Sequence, residues 1–139
     1  MTPSFIVDCS LTMTWVFKDE ATTDTTDLLR RLGAESALVP SHWFLEVANV
    51  LVIAERRKRI SVTESTQFLR TLDALQIEID EDVAGRAFDH ILPLSRTHHL
   101  TTYDAAYLDL ALRRQLPLAS LDADLRQAAA AIGVRLLGM

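Results

Sequence analysis

The sequence predicts an α/β fold of three layers, with a central, mostly parallel sheet of four to five strands covered by helices on both faces. Three observations predict it. Short apolar runs alternate along the chain with stretches whose apolar residues recur every three or four positions, the pattern of a parallel sheet wrapped by helices. With 139 residues, 49% apolar and 24% charged, the chain can bury a substantial core and is expected to form one domain over residues 1–139. Two of the apolar runs, "FIVDCS" at 5–10 and "PLASLD" at 117–122, end on an aspartate rather than on glycine or asparagine.

The elements follow in order. A first strand is expected over Ser4 to Val7, then a helix over 24–32 with Leu28, Leu29 and Leu32 on one face. A second strand, Ala37 to Val39, leads to a helix from His42 to Arg57, where Trp43, Val47, Val50, Leu51 and Ala54 share a face. Ser61 followed by Glu64 is a capping-box pair, and Phe68, Leu69, Leu72 and Leu75 carry the helix it starts. The third strand is expected over Gln76 to Ile79. A helix from about Glu81 to Ser95 comes next, its last turn shortened or bent by Pro93. Asp104 to Arg114 reads as helix, Leu118 to Ser120 as the fourth strand, and Asp122 to Ile132 as a short helix ended by Gly133. Val134 to Leu137 is the last strand.

In a parallel sheet of this kind, ligands bind beyond the carboxyl ends of the strands. Asp8 and Asp122 both fall at that rim, where a strand gives way to a helix. Asp104 begins a helix whose Tyr107, Leu108 and Ala111 face the same way, and Glu46 lies on a partly apolar helix face near His42, Trp43, Asn49 and Val50. Each acid also has a plain structural reading. Asp8 and Asp122 are suited to N-caps, Asp104 to a capping pair with Thr101, and Glu46 to a salt bridge with an arginine. Together, four carboxylates on one rim repel one another and raise each other's pKa. A divalent cation keeps them ionised. Oxygen donors suit Mg²⁺ or Mn²⁺, and no Cys/His pairs stand at zinc spacing. Such ions activate water and clamp the oxygens of a phosphodiester, with about 3.5–4 Å between two metals.

Over nearly its full length, the chain resembles the PIN-domain ribonucleases, in particular the VapC-like toxins of type II toxin–antitoxin modules. The resemblance rests on "FIVDCSLTMTWVFKDE", on "VPSHWFLEVANVL" with an asparagine three residues after Glu46, and on "LTTYDAAYLDLALRRQLPLASLDADLRQAA". It implies that Asp8 and Asp104 are the firmest metal ligands. Glu46 and Asp122 become supporting ligands or holders of metal-bound water, with Ser10 and Ser120 orienting those waters. It further implies an α/β/α endoribonuclease that leaves 5′-phosphate and 3′-hydroxyl ends, a homodimer, and a cognate antitoxin whose C-terminal segment lies in or near the active site. Cys9 stands where alanine is common in the family. Asp124 is a rival to Asp122, which lies closer to the strand end; the helix dipole suffices to explain Asp124.

The formal net charge of −5 is unusual for a nucleic-acid binder, and requires the acids to be gathered where cations sit. The densest basic run, "ERRKR" at 55–59, is either a solvated helix end complementing the dipole or a holder of RNA phosphates. Arg30–Arg31 and Arg113–Arg114 carry less weight. His98–His99 has no third ligand at metal spacing. His42 and Glu46, four apart, have the spacing to share a metal, although four acids make a histidine unnecessary. Trp15, Trp43 and Phe44 are expected in the core or a dimer contact. A lone cysteine, no signal peptide and no apolar span point to a soluble, cytoplasmic protein without a membrane partner. A receiver-type domain lacks its lysine near the site, and a Rossmann or P-loop binder lacks its glycine-rich turn. A PIN-like module that has lost catalysis and only binds RNA or protein partners is the remaining alternative.

Overall fold

The computed structural model describes residues 2–139. Its five strands are β1 (Phe5–Val7), β2 (Ala37–Pro40), β3 (Ile77–Asp80), β4 (Leu118–Ala119) and β5 (Leu136–Leu137). They form one sheet in the order β3-β2-β1-β4-β5, with every neighbouring pair parallel. The sequence predicted a mostly parallel sheet of four to five strands; the sheet is wholly parallel and has five. β1 and β2 are buried along their whole length, as expected of strands covered on both faces.

The chain steps from β1 to β2 to β3 in one direction, then crosses to β4 and β5 on the other side of β1. Parallel crossovers keep one hand, so this reversal sends helices to opposite faces of the sheet. It also makes the gap between β1 and β4 the topological switch point. Ile6 lies beside Leu118 and Val7 beside Ala119, and the Asp8 amide donates to the Ala119 carbonyl at 3.1 Å. Asp8 and the segment after Ala119 therefore emerge side by side.

The helices are α1 (Cys9–Met13), α2 (Thr23–Arg31), α3 (Trp43–Arg56), α4 (Val62–Ala74), α5 (Val83–Arg86), α6 (Leu92–His98), α7 (Thr102–Arg114) and α8 (Ala123–Ala131). The capping box of Ser61 with Glu64 starts α4 as expected, and Gly133 follows α8 at φ 81°, the left-handed position that favours glycine. Three features depart from the sequence reading. α1 was signalled only by Asp8 as a strand-to-helix N-cap, without bounds, and a 3₁₀ turn at Lys18–Glu20 was not expected, since elements this short carry no periodicity to read. The helix expected over 81–95 is instead α5, a π-helical turn at Ala87–Ile91, and α6. Pro93 does not shorten the last turn. It sits in the first turn of α6, where its missing N–H breaks no helical bond, and the helix runs on to His98.

α7 holds the layers together. Ala105 through Ala111 are all buried, so this helix is covered on nearly every side. Its Leu108 and Leu110 join Phe5, Ile6, Val39 and Leu118 in a continuous hydrophobic cluster. Packing of that density fixes where the first turn of α7, and Asp104 with it, comes to rest.

Candidate active site

Asp8 is 3% exposed and terminates β1. Its Oδ1 accepts from the Leu11 amide at 2.9 Å, capping α1, and from the Ser10 hydroxyl at 2.7 Å. Its Oδ2 accepts from the Ser120 hydroxyl across the switch point. Ser120 Oγ in turn accepts from the Asp122 amide, and Ser10 Oγ accepts from the Leu121 amide, both at 3.0 Å. The two serines thus lace the ends of β1 and β4 together. Asp122 caps α8, with its Oδ1 accepting from the Leu125 amide at 2.8 Å. The cap reading and the site reading are compatible: each aspartate is fixed by the helix it starts.

Glu46 stands in the first turn of α3. The Tyr107 hydroxyl donates to its Oε1 at 2.6 Å, and His42 Nε2 lies 3.6 Å from the same oxygen and 3.0 Å from the Tyr103 carbonyl. Asp104 stands in the first turn of α7, which Thr101 caps by accepting the Asp104 amide at 3.1 Å. Its carboxylate does not serve as the cap. Asp8, Glu46, Asp104 and Asp122, drawn from four separate parts of the chain, line one cleft of about 390 Å³. Cys9, Met13, Phe17, Glu20, Arg59 and Tyr107 also line it. Among the described residues, no three of His, Cys, Asp or Glu are gathered closely enough to encase a metal ion.

The electrostatics of the cleft follow from that crowding. Asp8 has its pKa pushed up to about 6, by burial first and by the Asp122 charge as a smaller contribution, against the hydrogen bonds from Ser120, Leu11 and Ser10. Asp104 is also raised to about 6, by burial, then by the charges of Asp122, Glu46 and Asp8. The Cys9 thiol is driven up to about 12 by burial and three carboxylates, which leaves it protonated and unreactive. Burial and the Glu46 charge raise the Tyr107 hydroxyl, so it stays a donor.

Among the other sequence candidates, Asp124 is exposed and not among the residues lining the cleft. His98 closes α6 and His99 caps it at φ 55°, away from any acid cluster. Trp43 is buried and donates from its indole N–H to Thr12 Oγ1, Trp15 donates to the Thr25 carbonyl, and Phe44 is 44% exposed. Arg113 belongs to a partly buried network in which it pairs bidentately with Asp80 at 2.7 and 2.8 Å, while Arg86 pairs with Asp109 at 2.7 and 2.9 Å. The role of Tyr107 against Glu46 was missed, although its place three residues after Asp104 on a helix was the available signal. Arg59 in the cleft had only its membership of a basic run.

A family model described as PIN domain matches residues 5–131. No curated protein matches the chain. Among solved structures, the chain is similar to that described as the crystal structure of PAE2754 from Pyrobaculum aerophilum. The identity is 19% and the TM-score 0.69, over 92% of this chain and 87% of that one, a likeness of fold. No helix among the described residues is long and apolar enough to cross a membrane. Since the family match runs from the first residue of β1 to the last of α8, the chain belongs to the PIN domain family, whose fold is of nuclease type.

Proposed function

We propose that this protein is a metal-dependent endoribonuclease, using Mg²⁺ or Mn²⁺, and the toxin of a type II toxin–antitoxin system. The observation that carries the reading is a cleft at the switch point into which four acids from distant parts of the chain open. Two of these acids, Asp8 and Asp104, have raised proton affinity through burial first and neighbouring carboxylate charge second, and no cationic side chain is paired with them to offset either. An uncompensated carboxylate cluster of this kind is a site for a cation supplied from outside. The donor set is carboxylate and hydroxyl oxygen, the chemistry of a hard divalent ion. Mg²⁺ usually keeps several waters and takes one or two carboxylates, so the four acids need not all touch it.

Asp8 and Asp104 would be the direct ligands, with Glu46 and Asp122 holding metal-bound water. When bound, the ion supplies a water nucleophile of lowered pKa and neutralises charge on the phosphate. The chain's own residues prepare that site. Ser10, Ser120 and the Leu11 amide fix the Asp8 carboxylate, and the Tyr107 hydroxyl fixes Glu46 so that one oxygen remains for solvent. No protein nucleophile is needed, and Cys9 is too weakly acidic to be one. The substrate is RNA, the regulator a cognate antitoxin that covers the cleft, and the active form a homodimer.

The test is Asp8→Asn. Asparagine keeps the shape and can still cap α1, so the variant should fold and bind antitoxin while losing cleavage by about two orders of magnitude or more. Sequencing RNA ends after brief expression of each form reads it out. Identical end profiles from the two forms would refute the reading in favour of a binding-only module.

A further inference from the structure

We infer that Arg59 is the phosphate anchor of the cleft, the side chain that grips the backbone of a single RNA strand beside the carboxylates. The inference rests on the ribonuclease reading above. It starts from a sign problem. A cleft lined by Asp8, Glu20, Glu46, Asp104 and Asp122 repels a polyanion, and Arg59 is the one cationic residue among those lining it.

The backbone delivers Arg59 there. α3 ends in a Schellman arrangement, with the Lys58 amide donating to the Glu55 carbonyl at 3.0 Å and the Arg59 amide to the Ala54 carbonyl at 2.9 Å. Lys58 occupies the left-handed position of that motif at φ 59°, where glycine is usual. The basic run is thereby split. Arg56, Arg57 and Lys58 are exposed and line no part of the cleft, whereas Arg59 turns into it and lays its guanidinium over the Phe17 ring at 3.8 Å.

The guanidinium is held from one edge only. Its Nη2 donates to both Asp19 oxygens at 3.1 Å and to Glu20 Oε2 at 2.7 Å. Among the described residues, Nε and Nη1 have no hydrogen-bond partner. The side chain is still 41% exposed, so those donors meet solvent. An arginine stacked on an aromatic ring, clamped at one nitrogen and open at its other donors, is pre-organised to receive a phosphate. Asp19 and Glu20 act as positioning residues for it.

The test is binding of fluorescein-labelled, random-sequence single-stranded RNA to the full chain, followed by anisotropy in EDTA and again with Ca²⁺. Arg59→Ala should weaken binding about tenfold or more and flatten the salt dependence by about one phosphate contact. Arg59→Lys keeps a charge without the fork. It should restore the salt slope and still bind severalfold more weakly than the parent. Arg56→Ala and Arg57→Ala should stay within about twofold. Should Arg59→Ala lose its fold, Arg59→Lys and the two neighbours still decide the matter. The inference falls if Arg59→Lys binds like the parent while Arg56→Ala or Arg57→Ala weakens binding as much as any change at Arg59. It falls by itself if Arg59→Ala binds RNA normally while Asp8→Asn abolishes cleavage. A parent protein that binds no RNA would remove the ribonuclease reading as well.

Discussion

Asp80 and Asp109 are nearly as buried as Asp8, at 6%, 4% and 3% exposure, yet their surroundings differ completely. Asp80 accepts a bidentate pair from Arg113, with Arg114 at 3.9 Å, and Asp109 accepts the same from Arg86. The Arg113 guanidinium beside Asp80 holds its carboxyl below the usual carboxylate range. Asp8 has only neutral donors around it and is raised to about 6. This chain can therefore place arginines against buried acids, and at the switch point it does not. The difference separates an acid that braces the fold from an acid left with unbalanced charge, and in this molecule burial alone does not tell them apart.

Breaking the braced region should give the largest change in stability. Arg113→Met leaves the Asp80 carboxylate buried without its main partner, and should lower unfolding free energy by about 3 kcal/mol or more in a urea titration at neutral pH. A loss below about 1 kcal/mol would mean that the network is ornamental.

The pH dependence of the metal-free protein sharpens the same contrast, with opposite signs for the two regions. Asp8 has a folded pKa near 6 and an ordinary value of 3.8, so between those values the folded state binds more protons. Its burden on stability is full above about pH 6 and is relieved as pH falls from 6 toward 4, by up to about 3 kcal/mol for a shift of roughly two units. Asp80 is shifted the other way. Its support is present above 3.8 and is lost as pH falls further, through its depressed folded pKa. In EDTA, stability should rise on acidification toward pH 5 and collapse below about pH 4. Asp8→Asn should shrink the first limb to the share that Asp104, also raised to about 6, contributes, and leave the second in place, as thermal melts across pH would record.

Asp124→Asn is expected to do almost nothing. Its side chain is exposed in the first turn of α8, so stability should move by no more than about 0.5 kcal/mol and cleavage should be unchanged. A marked loss of cleavage in this variant would move the site away from Asp122.

Much of this was legible in the chain. The alternation of apolar runs with helical periodicity foretold the α/β class, and each expected strand overlaps an observed one. "FIVDCS" and "PLASLD" already marked the rim, because a strand that ends on an N-capping aspartate announces both the turn and the carboxylate. Less was legible where elements are short. Cys9–Met13 and Lys18–Glu20 are too brief to show a period, and a single π turn at Ala87–Ile91 leaves no mark in the apolar spacing. The Asp80–Arg113 and Asp109–Arg86 pairs went unseen because their partners are 33 and 23 residues apart.

By itself, then, the sequence determined what local forces govern: which segments become strand or helix, which residues cap them, and which acids are available. The tertiary structure alone decided who meets whom. The order β3-β2-β1-β4-β5 sets Asp8 beside Ser120, the burial of α7 brings Asp104 and Tyr107 up to Glu46, and a left-handed Lys58 turns Arg59 away from its basic neighbours. Periodicity reports the face of an element and is silent on its neighbour. Neighbours are chosen by packing the whole core at once, and the charge balance of a site is settled only when that packing is complete.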